Sequence, residues 1–348
     1  MTGYFKYCLG RISIILCLVG LNGCNLAEGY GESVDLRKAT SGKVAIRDIY
    51  ERIEIVPLDN APEGLSRETS LSGLCVTGDR FILQDRDRAV LFYRHDGSLA
   101  NILNPGVPVT DFSIWQERVL DMLSGYEIRE YALPDLSLLR RTQLDTLVVP
   151  TRIGRREKNV MILPAYAGNR DYMCEYYFDR KYYAASEGNM DSGQTPDIVK
   201  HMSLFRYGDQ LLALYPHNGQ IWRCAEFFGV FLWLDFKQRD GDTVEFLSAQ
   251  VTDEKVYFAL LINGAEHLLI YNRADYRYSL IKTTSESVSL PLGVIRDGVN
   301  YVCCATADLP RYLKRELLDP EDAPAFDKAL SAGRHVVIKY HFRNEGRN

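Results

Sequence analysis

The sequence predicts an all-β fold, and three observations predict it. A polar turn followed by an apolar, strand-like run recurs six times, the clearest copies read as four short strands joined by tight turns, and many runs are apolar on both faces. The copies begin at Gly78-Asp79-Arg80, Gln116-Glu117-Arg118, Arg156-Glu157-Lys158, Gly208-Asp209-Gln210, Asp253-Glu254-Lys255 and Asp297-Gly298-Val299. A spacing of roughly 40 to 50 residues is that of four-stranded repeat units packed one on the next. Six such units predict a six-bladed β-propeller, in which each blade is covered by its neighbours. A β-sandwich or two smaller β-domains would use the same short strands and turns, but neither requires the period.

The first unit is expected to run through strands Leu71 to Thr77, Arg80 to Gln84, Ala89 to Arg94 and Leu99 to Leu103. Its last turn, His95-Asp96-Gly97-Ser98, places glycine where a tight hairpin needs a positive φ. The second unit repeats the pattern with Asp111 to Ile114, Arg118 to Met122, Glu127 to Ala132 and, after Pro134-Asp135, Leu138 to Leu144. Runs such as Val90-Leu91-Phe92-Tyr93 and Val230-Phe231-Leu232-Trp233-Leu234 lack the alternation of a half-exposed strand, which fits strands sandwiched between blades.

A ring of sheets has to be closed, and the two ends of the chain carry the means. Ile53-Glu54-Ile55-Val56-Pro57-Leu58 precedes the first full unit, and Arg334 to Phe342 forms a last strand. Sharing one blade between these N- and C-terminal strands removes an open sheet edge, so they are expected to close it together. A short helical insertion near the C-terminus interrupts the β pattern at Leu309 to Leu318 and Ala323 to Leu330, with Asp319-Pro320 as a helix start and Gly333 as a helix end. It is expected to cover the closure as a surface helix.

The N-terminus reads as an address. Lys6 and Arg11 give a positive start, Ile12 to Leu21 an apolar run of secretory length, and Leu21-Asn22-Gly23-Cys24 its end. That run is shorter than the roughly 20 residues of a spanning helix. The last four residues resemble the lipobox of bacterial lipoproteins, departing from it at Asn22, which implies acylation (palmitate among the chains) at Cys24. Lipid chains hold a soluble domain at a membrane through about 0.8 kcal/mol per buried CH₂. The expected organisation is a signal peptide over 1–23, a flexible tether over 24–42 and the propeller over 43–348. Asn25 is not the Asp that resembles an inner-membrane retention signal, so sorting to the outer membrane is expected.

The order of Ile53 to Leu58, Gly78 to Asp85, Val90 to Ser98 and Asp111-Phe112 resembles the six-bladed β-propeller lipoproteins of Bacteroidetes, of the TolB-like and NHL-like kind. The resemblance runs along the whole mature chain, with the glycine-rich stretch that follows the first blade reduced to Asn104-Pro105-Gly106-Val107-Pro108. It implies a fold and a place in the cell envelope, periplasmic or surface-facing, and no chemistry.

A formal net charge of −5, with no long block of one sign, excludes a nucleic-acid partner. Of the eight cysteines, Cys8 and Cys17 leave with the signal, and Cys75, Cys174, Cys224, Cys303 and Cys304 show neither zinc-site nor disulfide-framework spacing. Adjacent Cys303 and Cys304 point to opposite faces of a strand and are expected as buried thiols rather than a strained vicinal disulfide. The six histidines are scattered, and no metal-binding pair, nucleophile elbow, phosphate loop or calcium loop is present, so no metal or cofactor is assigned. Arg239-Asp240-Gly241-Asp242 reads as a turn first and a calcium site second.

Two sets of residues remain. Propeller ligands sit at the central channel, and Asp111, Arg152 and His201 fall near the starts of inner strands in the second, third and fourth units. The stretch containing Tyr172, Tyr176, Tyr177 and Tyr182, interleaved with charges, suits a glycan or a protein partner and equally suits packing between blades. The expected function is a membrane-anchored, non-catalytic binding or scaffold lipoprotein whose partner is an envelope protein or glycan. The alternative is a metal-dependent propeller lyase or lactonase with its site in the channel.

Overall fold

The computed structural model describes residues 34–38, 44–60, 71–85, 88–144, 149–156, 159–165, 172–177, 180–187, 203–214, 219–223, 229–232, 234, 236–237, 240–332 and 335–343. They form an all-β, propeller-like fold with few helices. The chain begins with the two-residue strand β1 (Val34–Asp35), a 3-10 turn Leu36–Lys38, the short helix α1 (Ile46–Ile49) and β2 (Tyr50–Pro57).

Six four-stranded antiparallel sheets follow in chain order. The first holds β3 (Leu71–Val76), β4 (Arg80–Asp85), β5 (Ala89–Arg94) and β6 (Leu99–Leu103). The second holds β7 (Asp111–Trp115), β8 (Val119–Ser124), β9 (Glu127–Ala132) and β10 (Leu138–Gln143). The third is β11 (Val149–Arg156), β12 (Asn159–Ala165), β13 (Tyr172–Tyr177) and β14 (Arg180–Glu187). The fourth is β15 (Ser203–Tyr207), β16 (Gln210–Leu214), β17 (Ile221–Arg223) and β18 (Gly229–Leu232). After the two-residue β19 (Phe236–Lys237), the fifth is β20 (Val244–Val251), β21 (Lys255–Ile262), β22 (Ala265–Asn272) and β23 (Tyr278–Ile281). The sixth combines β24 (Val294–Arg296), β25 (Val299–Ala305) and the last strand β26 (His335–Phe342) with β2.

The first strand of each sheet touches the first strand of the next: β3 meets β7, β7 meets β11, β11 meets β15, β15 meets β20, β20 meets β24, and β24 returns to β3. The innermost strands therefore stand in a closed circle. Alternation along a strand explains why both faces are apolar. In β4, Phe81 and Leu83 pack with Val56, Val337 and Tyr301 of the sixth sheet, whereas Ile82 packs with Phe112, Ile114 and Met122 of the second. In β5 the same division sends Leu91 and Tyr93 one way and Val90 and Phe92 the other. All of these β4 and β5 side chains are buried, each contributing about 1.5–3 kcal/mol relative to exposure.

The sixth sheet is where the ends of the chain meet. β2 pairs antiparallel with β26 in the register Ile53↔Tyr340, Ile55↔Ile338 and Pro57↔Val336, and β26 pairs in turn with β25. The Asp96-Gly97 turn of the first sheet then rests against β2. Gly97 has φ 86°, and a Cβ there would lie 2.1 Å from the Pro57 carbonyl oxygen, so only glycine fits the turn and the close approach together.

The helical insertion lies between β25 and β26 and covers one face of this sheet. Leu309, Leu313, Leu317, Phe326 and Ala329 bury themselves against Ile53, Val336, Ile338 and Tyr340, and the Tyr340 hydroxyl donates to the Tyr312 carbonyl at 3.0 Å. The expected helix over Leu309 to Leu318 is instead two pieces, α2 (Leu309–Tyr312) and a 3-10 turn Arg315–Leu317, separated by extended Leu313 and Lys314. Leu309, Leu313 and Leu317, at the spacing of one face of a helix, are all buried even though the helix is interrupted between them. The second helix, α3, spans Ala323–Ala332, beginning after an Asp319 to Asp322 turn rather than at Asp319-Pro320; Gly333 lies outside the described residues.

Residues 34–38 fall within the segment expected to be a tether, yet they are docked. β1 pairs parallel with β19, Val34 and Leu36 are buried in the core between the fourth and fifth sheets, and the Tyr278 hydroxyl accepts from the Asp35 amide at 3.0 Å. Cys303 and Cys304 are free thiols facing opposite ways, Cys303 toward the first sheet and Cys304 toward the insertion. Burial pushes Cys304 up to about 12 and Cys303 higher, which leaves both as inert thiols at neutral pH.

Removing residues 335–348 strips β26 from between β2 and β25. Such a chain is expected to lose its cooperative denaturant unfolding transition, measured by circular dichroism, where the full chain shows one sharp transition.

Candidate functional site

The circle of inner strands encloses a cavity of about 1110 Å³, and every sheet contributes to its wall, among others through Gly73, Asp111, Arg152, Ser203, Gln250 and Val294. A strand in this position presents its free backbone edge to the lumen while its two faces pack on the neighbouring sheets, so runs of consecutive residues such as Asp111 to Ile114 line the wall. The lining mixes apolar groups such as Leu74, Ile114 and Phe205 with polar ones, as a ligand pocket does.

Two of the three residues expected at the channel are on its wall and adjacent to each other. Asp111 opens β7, and its Oδ2 accepts from the Ile153 amide of β11 at 2.9 Å, which ties the second sheet to the third. Burial pushes the Asp111 carboxyl up to about 6, against the pull of Arg152 and the Ile153 amide. Arg152 is exposed at the lumen surface and donates to the Thr151 carbonyl at 3.1 Å. His201 lies outside the described residues. Of the aromatic set, Tyr172, Tyr176 and Tyr177 lie in β13 and Tyr182 in β14, with Tyr176 opposite Val160 and Tyr172 opposite Glu187. Cys24 also lies outside the described residues.

Charged residues that the linear pattern does not single out hold the inner wall together. Arg155 of β11 donates from Nε to Asp121 Oδ2 at 2.6 Å and from Nη2 to Asp121 Oδ1 and to Glu130 Oε1, so one guanidinium of the third sheet grips two carboxylates of the second. All three side chains are buried. Burial pushes Asp121 up to about 6 despite Arg155. Arg155 also lies 5.4 Å from the centre of the Trp115 ring. At the far turn of β7, Glu117 binds Arg296 of the sixth sheet at 2.5 Å and accepts from the Gly78 amide, while Arg296 donates to the Val76 carbonyl at 2.9 Å. Three sheets are thereby strapped at one point of the rim. The readable signal for these residues is a charge inside an otherwise apolar inner strand, as in Ile153-Gly154-Arg155 and Leu204-Phe205-Arg206.

Arg155→Met leaves Asp121 buried without its ion-pair partner and Glu130 with Arg140 alone, and is expected to destabilise the fold by about 3–5 kcal/mol in denaturant titration, far more than a surface Arg141→Met change. Asp111 gives a pH signature of opposite origin. Its folded pKa is above the unfolded value, so the folded state holds the proton more tightly, and its contribution is fully present below about pH 4 and lost as pH rises to about 6. Asp111→Asn, whose amide oxygen still accepts from Ile153, is expected to remove about 1–3 kcal/mol of that decline in unfolding free energy measured between these pH values.

No three His, Cys, Asp or Glu side chains among the described residues converge as a metal-holding group, and no helix among them is long and apolar enough to cross a membrane. No protein-family model matches the chain, and no curated protein matches it. Solved structures do resemble it. A Bacteroides fragilis protein described as exported aligns over 90% of this chain and 99% of its own with a TM-score of 0.64 at 10% identity. BamB of Moraxella catarrhalis covers 67% of this chain and 68% of its own, at 11% identity and a TM-score of 0.39. A Bacteroides caccae protein of unknown function covers 66% and 84%, at 10% identity and a TM-score of 0.42. At these identities the likeness to the Bacteroides fragilis protein is one of fold, shared along nearly the whole of both chains.

Proposed function

We propose that this chain is a six-bladed propeller of the bacterial cell envelope, anchored through acylated Cys24, that binds a ligand without transforming it. The observation that carries the reading is the channel: six sheets in a circle enclose a lumen of about 1110 Å³ with a mixed polar and apolar wall. Several charged groups near it are spent on joining sheets. Arg155 pairs with Asp121 and Glu130, Arg140 with Glu130, and Arg296 with Glu117, an arrangement that favours a rigid receptor over proton transfer. The metal-dependent lyase or lactonase reading needs a converging donor set, and the described residues supply none.

The anchor and the partner are tested together in a Bacteroidetes host. The full chain is expected to sediment with outer membranes, to incorporate labelled palmitate and to co-purify with an envelope protein or glycan after detergent extraction. Cys24→Ala is expected to lose the label and move to the soluble fraction. Unlabelled wild-type protein, or membrane attachment that survives Cys24→Ala, overturns the anchor.

A further inference from the structure

Arg206 of β15 stands on the wall of the channel in an unusual electrostatic position. Among the described residues its guanidinium makes one hydrogen bond, from Nη2 to the Arg155 carbonyl oxygen on the neighbouring sheet, and its Nε is buried with no partner. The other arginines around the lumen are provided for. Arg155 is held by Asp121 and Glu130, Arg296 by Glu117 and Asp297, and Arg152 is exposed. Among the described residues no carboxylate stands in an ion pair with Arg206; Asp121 and Asp209 act on it only at longer range. Both Arg206 and Cys75 of β3, in the sheet across the circle, line the lumen. Ser203, on the same strand and the same wall, has a second orphan: its Oγ is buried and makes no hydrogen bond.

Arg206 and Ser203 are half-buried, but the Nε of one and the Oγ of the other are shut from water without a partner, and such orphan polar atoms are costly to keep unless something completes them. We propose that the channel binds a small molecule through an oxyanion group, a carboxylate or phosphate, seated on Arg206 with the Ser203 hydroxyl as second donor. The planar guanidinium fork suits either oxyanion. The lumen is much larger than a bare ion, and Leu74, Ile114, Phe205, Leu211 and Ile295 line the rest of it, so the ligand is an amphiphile whose apolar body lies along the wall. This inference rests on reading the channel as the ligand site and is independent of the anchor.

The test is calorimetric titration of the purified full chain in a non-ionic detergent with octanoate and with inorganic phosphate, at constant ionic strength set by chloride. Saturable binding of at least one probe is expected, weakened about tenfold or more by Arg206→Met and by a smaller factor by Ser203→Ala and Arg206→Lys, with Arg140→Met unchanged. Circular dichroism of each variant separates lost binding from lost fold, and Ser203→Ala carries the test if Arg206→Met does not fold. Absence of binding by both probes overturns the proposal, and so does equal binding by wild type and the folded Arg206 and Ser203 variants. Membrane attachment measured on the same cells separates the two readings: attachment without oxyanion binding removes only this inference.

Discussion

The constraint on which this structure depends is that each small sheet is apolar on both of its faces. A single four-stranded sheet carrying Phe81 and Leu83 on one side and Ile82 and Phe92 on the other has no orientation in water that hides both. It needs a neighbour on either side, and so does every neighbour, until the last sheet reaches the first. A circle satisfies that demand without leaving an exposed apolar face at either end of a stack. The pairing of β2 with β26 follows, because the sheet completed last in the chain otherwise lacks its outermost strand.

A circle of twisted sheets packs tightly at its periphery and leaves a lumen at its axis, where backbone edges crowd and side chains have little to bury against. Polar groups placed there act between sheets. Asp111 reaches the Ile153 amide, Arg155 reaches Asp121 and Glu130, Gln84 donates to the Val109 carbonyl at 2.7 Å, and Arg296 reaches both Glu117 and Val76. These links fix the spacing of the inner strands, and with it the shape of the cavity. Against that background Arg206 stands out, because it joins sheets only through the Arg155 carbonyl and, among the described residues, no carboxylate pairs with it.

Much of the fold was legible because its signals are local. Strands Ala89–Arg94, Leu99–Leu103 and Glu127–Ala132 fall where the sequence places them, since Asp-Gly turns and runs apolar on both faces depend on near neighbours alone. The terminal strands were legible from the topological need for closure. The insertion was legible as helical but not as broken, because Leu309, Leu313 and Leu317 keep the spacing of one helix face across the extended residues Leu313 and Lys314. At the site, Asp111 and Arg152 could be placed from their positions at strand starts. Arg155, Arg206, Arg296 and Ser203 could not, because what distinguishes them is whether a partner from a strand some dozens of residues away reaches them. The docking of Val34 and Leu36 was hidden for the same reason: its complement, Phe236, lies some two hundred residues downstream.

The knitting of head to tail also sets a temporal order. β2 is made before the other strands of the ring and β26 after them, so the loop between the two closes only when every strand between them has been made. Contacts so far apart along the chain form slowly, because most of the loop's configurational freedom is surrendered before the pairing rewards it. Until β26 arrives the seam stays open, and the ring gains its rigidity only in that final step.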